Sequence, residues 1–308
     1  MPPCAFSTPV TISGPLRRPV QLLGEQEYGG HGSIHDSSIA DSLGFASGAI
    51  EGPVHFSQFA PLLVTLWGTD WISSGCLSVH YSSPCIAGEE VRAYAEVPAH
   101  GATAAKVWMA KADGTLVLSG TASLKESQEP TEAQTRLAGA RSPDGLQIID
   151  QLRVGLEVPM TRVRIDPNTL LGPLYPFTLS QKLDAITEML SYYSLDPADS
   201  SVWKAAVLPI EMVSVLFQYT DNGLPVRQPS VGLFLDQEIQ MENGPVFAGT
   251  DYDLKRSVVA LSESRRTESY WLKSTLRDPN NGSVIATGLL HIGMFKDSYP
   301  GFRPKGAP

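Results

Sequence analysis

Residues 78–97, SVHYSSPCIAGEEVRAYAEV, decide the fold of this chain. They begin as a strand, a proline and a glycine interrupt them as a bend, and residues 91–97 alternate as a second strand. The same order returns at residues 236–258, DQEIQMENGPVFAGTDYDLKRSV. The chain therefore contains a repeat of strand, proline-containing bend, glycine and long strand.

Each copy of this pattern runs into a β-hairpin signal. Asp113-Gly114 separates two β-forming runs within residues 106–124, and Asn281-Gly282 does so within residues 269–292. Superposing the two turn glycines also superposes Gly120 on Gly288. Two coincident glycines in matched hairpins indicate an internal duplication.

An apolar segment opened by proline precedes each set of strands. Pro53 opens residues 52–59 and Pro209 follows Leu208 at the same place in the second copy. Proline fits the first helical turn because its missing N–H needs no partner there. We predict that each half is one helix wrapped by about four antiparallel strands, with the polar residues 125–141 between the halves.

Composition and charge exclude several classes of protein. The 308 residues carry 23 lysines and arginines against 32 aspartates and glutamates, a net charge of −9, which excludes a generic polyanion binder. The apolar residues 59–67 contain Pro61 and are too short to span a bilayer. We expect no nucleic-acid partner and no membrane partner.

The location is predicted from the N-terminus and the cysteines. The first residues lack the basic and apolar regions of a secretory signal. Cys4, Cys76 and Cys85 lack metal-type spacing and suit reduced thiols. We therefore expect a cytoplasmic protein.

Taken together, these motifs resemble the hotdog superfamily, and within it the fused double-hotdog form of the MaoC-like hydratases and dehydratases. Residues 81–90, YSSPCIAGEE, are similar to the aromatic-x-x-Pro-Val-x-x-Gly-Asp signature of that branch. Residues 33–52 are similar to its segment Asn-Pro-Ile-His-x-Asp, Gly-Phe and Ile-Val-His-Gly. The resemblance covers nearly the whole chain.

The resemblance implies an α+β double hotdog, in which a long helix lies across a curved antiparallel sheet in each half and the two sheets join edge to edge. We expect an N-terminal repeat at residues 1–128, a linker at 129–160 and a C-terminal repeat at 161–308.

The resemblance also implies a site between a loop of one half and a helix N-terminus. Hydratases of this branch use an Asp and a His five residues later at a 2-enoyl thioester, and backbone N–H groups polarise the carbonyl. Here His35 stands at the His position, whereas Gly30 stands where the Asp is expected. The pair is incomplete unless His31, Asp36 or a group from elsewhere substitutes, and loss of a general base costs roughly 10² to 10⁴ in rate.

The candidate residues follow from this comparison and from the helix starts. The catalytic candidates are His35, His31 and His55, and the substrate-binding candidates are Tyr28, Asp36, Gly52, Gln58 and Glu211. Several have structural alternatives: His35 as a loop anchor, Asp36 as a helix cap and Glu211 as a carboxylate favoured by the helix dipole. The nearby glycines make a helical His31–His35 metal pair improbable, so we predict no metal.

Three functions stay open. One is a dehydratase-like or hydratase-like lyase acting on a β-hydroxy carbonyl compound or acyl thioester, with His35 as acid or base. Another is a cyclase or isomerase, for example a pericyclic one, that shapes an apolar polyketide or terpenoid intermediate. The third is a non-catalytic small-molecule binding protein. No dinucleotide, P-loop or CxxC motif occurs, so we expect no cofactor; the partner is a small apolar or acyl substrate, and a homodimer stays open.

Overall fold

The computed structural model describes residues 9–196 and 202–304, in which ten strands form one antiparallel sheet. The strands of the chain are β1 (Thr11–Ser13), β2 (Glu27–Tyr28), β3 (His31–Gly32), β4 (Gly75–Tyr81), β5 (Val91–Glu96), β6 (Ala104–Lys111), β7 (Leu116–Leu124), β8 (Glu157–Val163), β9 (Gly232–Met241), β10 (Tyr252–Glu263), β11 (Thr267–Arg277) and β12 (Val284–Phe295). The sheet order is β1-β5-β6-β7-β4-β9-β12-β11-β10-β8, and β2 pairs with β3 in a separate hairpin.

The helices lie in the connections between these strands. They are α1 (Ser37–Ser42), α2 (Ala60–Trp67), α3 (Thr69–Ser74), α4 (Glu132–Ala138), α5 (Leu179–Ala185) and α6 (Ile210–Gln218), with 3-10 segments at Gly52–Gln58, Ser191–Tyr193 and Lys296–Ser298. The segment Gly52–Gln58 packs against α6, so the two helix starts meet inside the molecule.

Both predicted hairpins are confirmed by the strand pairing of β6 with β7 and of β11 with β12. Their turn glycines, Gly114 and Gly282, have φ of 88° and 74°, values that residues with a side chain rarely adopt. A Cβ at Gly288 would lie 2.7 Å from the Phe217 ring of α6, and one at Gly120 would lie 2.0 Å from the Ser78 carbonyl oxygen. The matched glycines therefore allow close packing within each half.

The two halves share one sheet because β4 pairs with β9 edge to edge. This antiparallel pairing runs from Cys76 opposite Gln240 to His80 opposite Asp236. One hydrophobic core continues through both halves beneath it. The predicted α+β architecture of two repeats with joined sheets is thus confirmed.

The first half departs from the expected single long helix. Instead, the 3-10 segment Gly52–Gln58 is followed by α2 and α3. Pro61 lies in the first turn of α2, because it has no N–H to continue an earlier helix. Gly68, with φ of 64°, ends α2 and begins α3. Proline and glycine therefore divide the helix into three pieces.

The segment between the halves is partly structured. Thr131 caps α4, and the Ala133 N–H donates to Ser78 Oγ, so α4 lies over the junction of the two sheets. Strand β8 begins at Glu157, inside the range expected as linker, and pairs with β10. Cys76 and Cys85 are buried free thiols, and Cys4 lies outside the described residues.

We searched the described helices for one that could cross a membrane, and none has the required length and apolar character.

Candidate functional site

One cavity of about 960 Å³ is lined by both halves of the molecule. The first half contributes parts of residues 26–35 and the start of the 3-10 segment, and the second half contributes parts of residues 218–235, β11 and β12. Among the described residues, the lining has the carboxylates of Glu27, Glu51 and Asp221 but no lysine or arginine. The wall is therefore suited to an apolar ligand without strong negative charge.

His35 lies in the wall of this cavity with a fixed ring orientation. Its Nδ1 donates a hydrogen bond to the Ala49 carbonyl oxygen at 2.7 Å. Burial lowers the pKa of His35, although the Ala49 hydrogen bond and the charge of Glu51 oppose that effect. Because a carbonyl only accepts, Nδ1 carries the proton and Nε2 is left as a basic lone pair. Nε2 has no hydrogen-bond partner within the described part of the chain.

The local backbone explains why no carboxylate occurs five residues before His35. Gly29 and Gly30 form the two-residue turn between β2 and β3, with φ of 61° and 79°. Two consecutive positive φ values are the requirement of a type I′ hairpin turn, which glycine meets most easily. Gly30 lines the cavity without a side chain.

Tyr28 and His31 face each other across this hairpin, and only Tyr28 lines the cavity. The Tyr28 hydroxyl accepts a hydrogen bond from the Gly232 N–H at 3.1 Å, which ties the hairpin to the second half. His31 is held at both ring nitrogens, by the Gly32 carbonyl oxygen and by Oε1 of Gln228, each at 2.8 Å. His31 is therefore placed as an anchor of the hairpin.

Gly52 begins the 3-10 segment at the cavity wall, so its N–H has no partner within that segment. A Cβ at Gly52 would lie 2.5 Å from the ring of Tyr81, so glycine is needed for this contact. Tyr81 also lines the cavity, and its hydroxyl donates to Oε1 of Gln237 at 2.8 Å. Gln237 in turn donates to Ser214 Oγ on α6 at 2.6 Å.

A buried charged cluster extends inward from the cavity wall, where the 3-10 segment meets α5 and α6. The Lys182 ammonium of α5 donates to Oε1 of Glu51, and both side chains are at most 3% exposed. Oε2 of Glu51, Nδ1 of His55 and Oε1 of Glu211 are buried and have no hydrogen-bond partner among the described residues. Such groups are uncommon in native interiors, so the cluster invites a functional explanation.

The charges in this cluster influence one another. Burial raises the pKa of Glu211 to about 7, while the nearby Lys182 opposes the rise. Burial and then Lys182 lower the pKa of His55 to about 4. The pKa of Lys182 is raised by Glu51 and Glu211 in spite of its burial. At neutral pH, His55 is therefore uncharged and Lys182 is a cation, whereas Glu211 keeps its proton to a higher pH than an exposed glutamate does.

Three other candidates lie outside the cavity wall. Asp36 is an N-cap whose Oδ1 accepts from the Ser38 hydroxyl and from the backbone N–H groups of Ser38 and Ile39, and these bonds lower its pKa. Gln58 is buried in the 3-10 segment, and Glu211 is buried at the start of α6. The structure thus brings His35, His55, Tyr28 and Gly52 to one cavity, and it places Asp36, Gln58, Glu211 and His31 behind or beside it.

Sequence reasoning did not single out Glu51, Lys182 or Tyr81 as site residues. A signal was present for Glu51, because it is the only Asp, Glu, Lys or Arg between Asp41 and Asp70. An isolated charge in an apolar stretch has to be buried with a partner or turned to a site. No comparable signal marks Lys182, which reaches Glu51 from 131 positions away.

A search of the described residues for three or more His, Cys, Asp or Glu side chains that could share a metal ion found no such group.

Comparison with known proteins shows the fold of the chain and does not show its activity. No protein-family model matches the chain, and no curated protein matches it. A MaoC domain protein from Chloroflexus aurantiacus, named as a dehydratase, superposes with a TM-score of 0.56 at 12% identity, over 94% of this chain and 95% of that one. A conserved Mycobacterium tuberculosis protein described as a double hotdog superposes with a TM-score of 0.59 at 10% identity, over 94% and 97%.

The chain has the double-hotdog fold.

The predicted double hotdog is thereby confirmed as a fold. At 10% and 12% identity the superpositions extend over nearly whole chains without indicating which reaction occurs. The activity of this double hotdog has to be argued from its own site residues.

Proposed function

We propose that this double hotdog is a lyase of the dehydratase or hydratase type, which removes or adds water next to the carbonyl group of a small acyl compound. The observation that carries the proposal is the orientation of His35. Its Nδ1–H is fixed on the Ala49 carbonyl oxygen, so Nε2 is the ring nitrogen available in the cavity wall. A neutral imidazole held in one tautomer is the form that a general base needs.

The reaction can be followed atom by atom for a β-hydroxy carbonyl substrate. Nε2 of His35 takes the proton from the carbon next to the carbonyl, and the electron pair of that C–H bond forms the new C=C bond. The bond from the β-carbon to the hydroxyl oxygen breaks, and the imidazolium returns the proton to this oxygen, which leaves as water. The reverse sequence hydrates a 2-enoyl compound.

The start of the 3-10 segment supplies the complementary electrostatics. The Gly52 N–H lies at the cavity wall and has no partner within its own segment. A hydrogen bond from it to the substrate carbonyl would stabilise the enolate that forms when the α-proton leaves. His55 lines the same wall, and it is uncharged at neutral pH because burial lowers its pKa to about 4.

A second candidate function is favoured by the charge of the lining. The described lining has three carboxylates and no lysine or arginine, so it offers no cation to the phosphates of a CoA or carrier-protein thioester. A neutral polyketide or terpenoid intermediate would suit such a wall, and its cyclisation or isomerisation needs shape and a few hydrogen bonds. In the third reading, the cavity only binds a small molecule. The cytoplasmic location and the homodimer remain predictions.

Substitution of His35 separates these functions. The His35→Ala variant and a control, His100→Ala, would be incubated in D₂O with β-hydroxyacyl and 2-enoyl pantetheine thioesters and with their neutral ketone analogues. His100 is exposed in a turn and does not line the cavity. For a lyase we expect water-dependent turnover and deuterium at the α-carbon in the control, both lower by roughly 10² to 10⁴ in His35→Ala.

Other outcomes would contradict the lyase proposal. Undiminished conversion by His35→Ala without deuterium uptake would favour a cyclase or isomerase that acts through the shape of the cavity. Tight binding of a ketone analogue without turnover by any form of the protein would favour the binding protein.

A further inference from the structure

His35 needs an anionic partner, and its own loop does not supply one. When Nε2 takes a proton, the ring becomes a buried cation, which is costly in an apolar wall unless a negative charge lies nearby. The position five residues earlier is Gly30, in the turn of the β2–β3 hairpin. The partner must therefore come from another element.

Glu51 lies where such a partner is required. Ala49, whose carbonyl oxygen holds the His35 ring, is two residues before Glu51, and Glu51 has the extended backbone angles φ −61° and ψ 135°. His35 and Glu51 line the same cavity, and the negative charge of Glu51 raises the pKa of His35.

The Glu51 carboxylate is held by a buried ion pair. One oxygen accepts from the Lys182 ammonium, and the other is buried without a partner among the described residues. The Lys182 ammonium also lies 5.2 Å from the centre of the Phe177 ring. Burying an ion pair costs desolvation energy that its attraction does not always recover, so such a pair is a poor device for stability alone.

We propose that Glu51 is the anionic partner of His35 and that Lys182 holds Glu51 in place. This inference rests on the proposed function, because it assigns His35 the transfer of a proton. While the α-proton resides on Nε2, the Glu51 carboxylate stabilises the imidazolium, until His35 has passed that proton to the departing oxygen. Glu51 and Lys182 are thus positioning residues that act through His35.

The groups around the pair act in opposite directions on His35. Glu51 raises the pKa of His35, whereas Lys182, on α5, lowers it. The other titratable groups that interact with the pair are His55 on the 3-10 segment, Glu211 on α6, Tyr81 on β4 and Tyr175 before α5.

The test is an NMR titration of ¹³C-histidine in the full chain, which needs no substrate. We expect the pKa of His35 to fall in Glu51→Gln, to stay near that of the wild type in Glu51→Asp, and to rise in Lys182→Met. The signal of the exposed His100 serves as the internal reference, and thermal unfolding shows which variants are folded. With a 2-enoyl pantetheine thioester, we expect kcat to fall roughly 10²-fold in Glu51→Gln and to recover in Glu51→Asp.

The inference and the proposed function fail in different ways. An unchanged or raised His35 pKa in folded Glu51→Gln would overturn the role of Glu51, even where His35→Ala still abolishes turnover. Full turnover by His35→Ala would instead overturn the proposed function. If Lys182→Met does not fold, the comparison of Glu51→Gln with Glu51→Asp still tests the role of Glu51, because these two variants differ in charge at one position.

Discussion

Replacing Glu211 by glutamine should make the protein more stable in mildly alkaline solution. Glu211 is 1% exposed at the start of α6, and one of its oxygens has no hydrogen-bond partner among the described residues. Burial raises its pKa to about 7 from the ordinary 4.5, so its charged form is the one that the fold disfavours. Glutamine keeps the shape of the side chain and cannot ionise.

The size of the gain follows from proton linkage. Between pH 4.5 and about 7 the folded protein keeps the Glu211 proton that the unfolded chain has released. The free energy of unfolding therefore falls as pH rises through this window and levels off above it. Each pKa unit corresponds to about 1.4 kcal/mol, so the loss amounts to about 3 kcal/mol in total. Glu211→Gln should lack this loss.

Urea denaturation of the wild type and Glu211→Gln at several values between pH 4.5 and pH 8 measures the effect. The two midpoints should be similar near pH 4.5 and should diverge until pH 8. With an m-value of about 3 kcal/mol per molar urea, the final separation is about 1 M in favour of the variant. Glu25→Gln, at an exposed position, is the matched control and should follow the wild type.

Parallel curves for the wild type and Glu211→Gln across the whole pH range would refute this reasoning. They would mean that Glu211 is ionised in the folded protein at the same pH as in the unfolded chain. In that case Lys182 would stabilise the Glu211 carboxylate as fully as water does.

Three further substitutions test other parts of the structure. Gly30→Asp places a carboxylate five residues before His35, at φ 79°, where a Cβ has open space. The variant should lose about 1 kcal/mol of stability to backbone strain and should hydrate a 2-enoyl thioester faster than the wild type. Slower hydration would contradict this. Arg256→Met removes the buried guanidinium that donates to the carbonyl oxygens of Phe217, in the last turn of α6, and of Thr220 and Asp221, just after it. A loss of about 2 to 3 kcal/mol in urea denaturation is expected, and an unchanged midpoint would argue against this cap. Gly288→Ala brings a Cβ to 2.7 Å from the Phe217 ring. Thermal unfolding should show that the free energy of unfolding falls by about 1 to 3 kcal/mol. Stability equal to that of the wild type would mean that the ring can move away freely.

Features with local causes could be predicted from the sequence. The turns at Gly114 and Gly282 need positive φ, and the flanking residues favour strands, so the hairpins follow from a few neighbouring positions. The division of the first helix also has local causes, Pro61 and Gly68, yet the apolar pattern of the segment led to a prediction of one helix. The apolar pattern correctly predicted that this segment is buried, but it wrongly predicted one continuous helix.

The candidate site was predictable in part. The motif around His35 identified the histidine, and the duplicated helix starts led to His55 and Gly52, all three of which line the cavity. The same reasoning could not distinguish His31 from a catalytic histidine. Its two ring nitrogens contact the Gly32 carbonyl oxygen in the hairpin and Gln228. Two histidines four residues apart look alike in sequence, and only the hydrogen bonds of each ring distinguish an anchor from a base.

The sequence by itself determined the repeat, the order of strands and helix in each half, and the absence of a carboxylate five residues before His35. Only the tertiary structure decided which charges surround that histidine. Lys182 and Glu51 are 131 positions apart, and their pairing depends on how α5 packs against the first half. Secondary structure follows from neighbouring residues through backbone sterics and side-chain periodicity. The charge state of a buried group depends instead on desolvation and on distant charges, which the folded chain alone brings together.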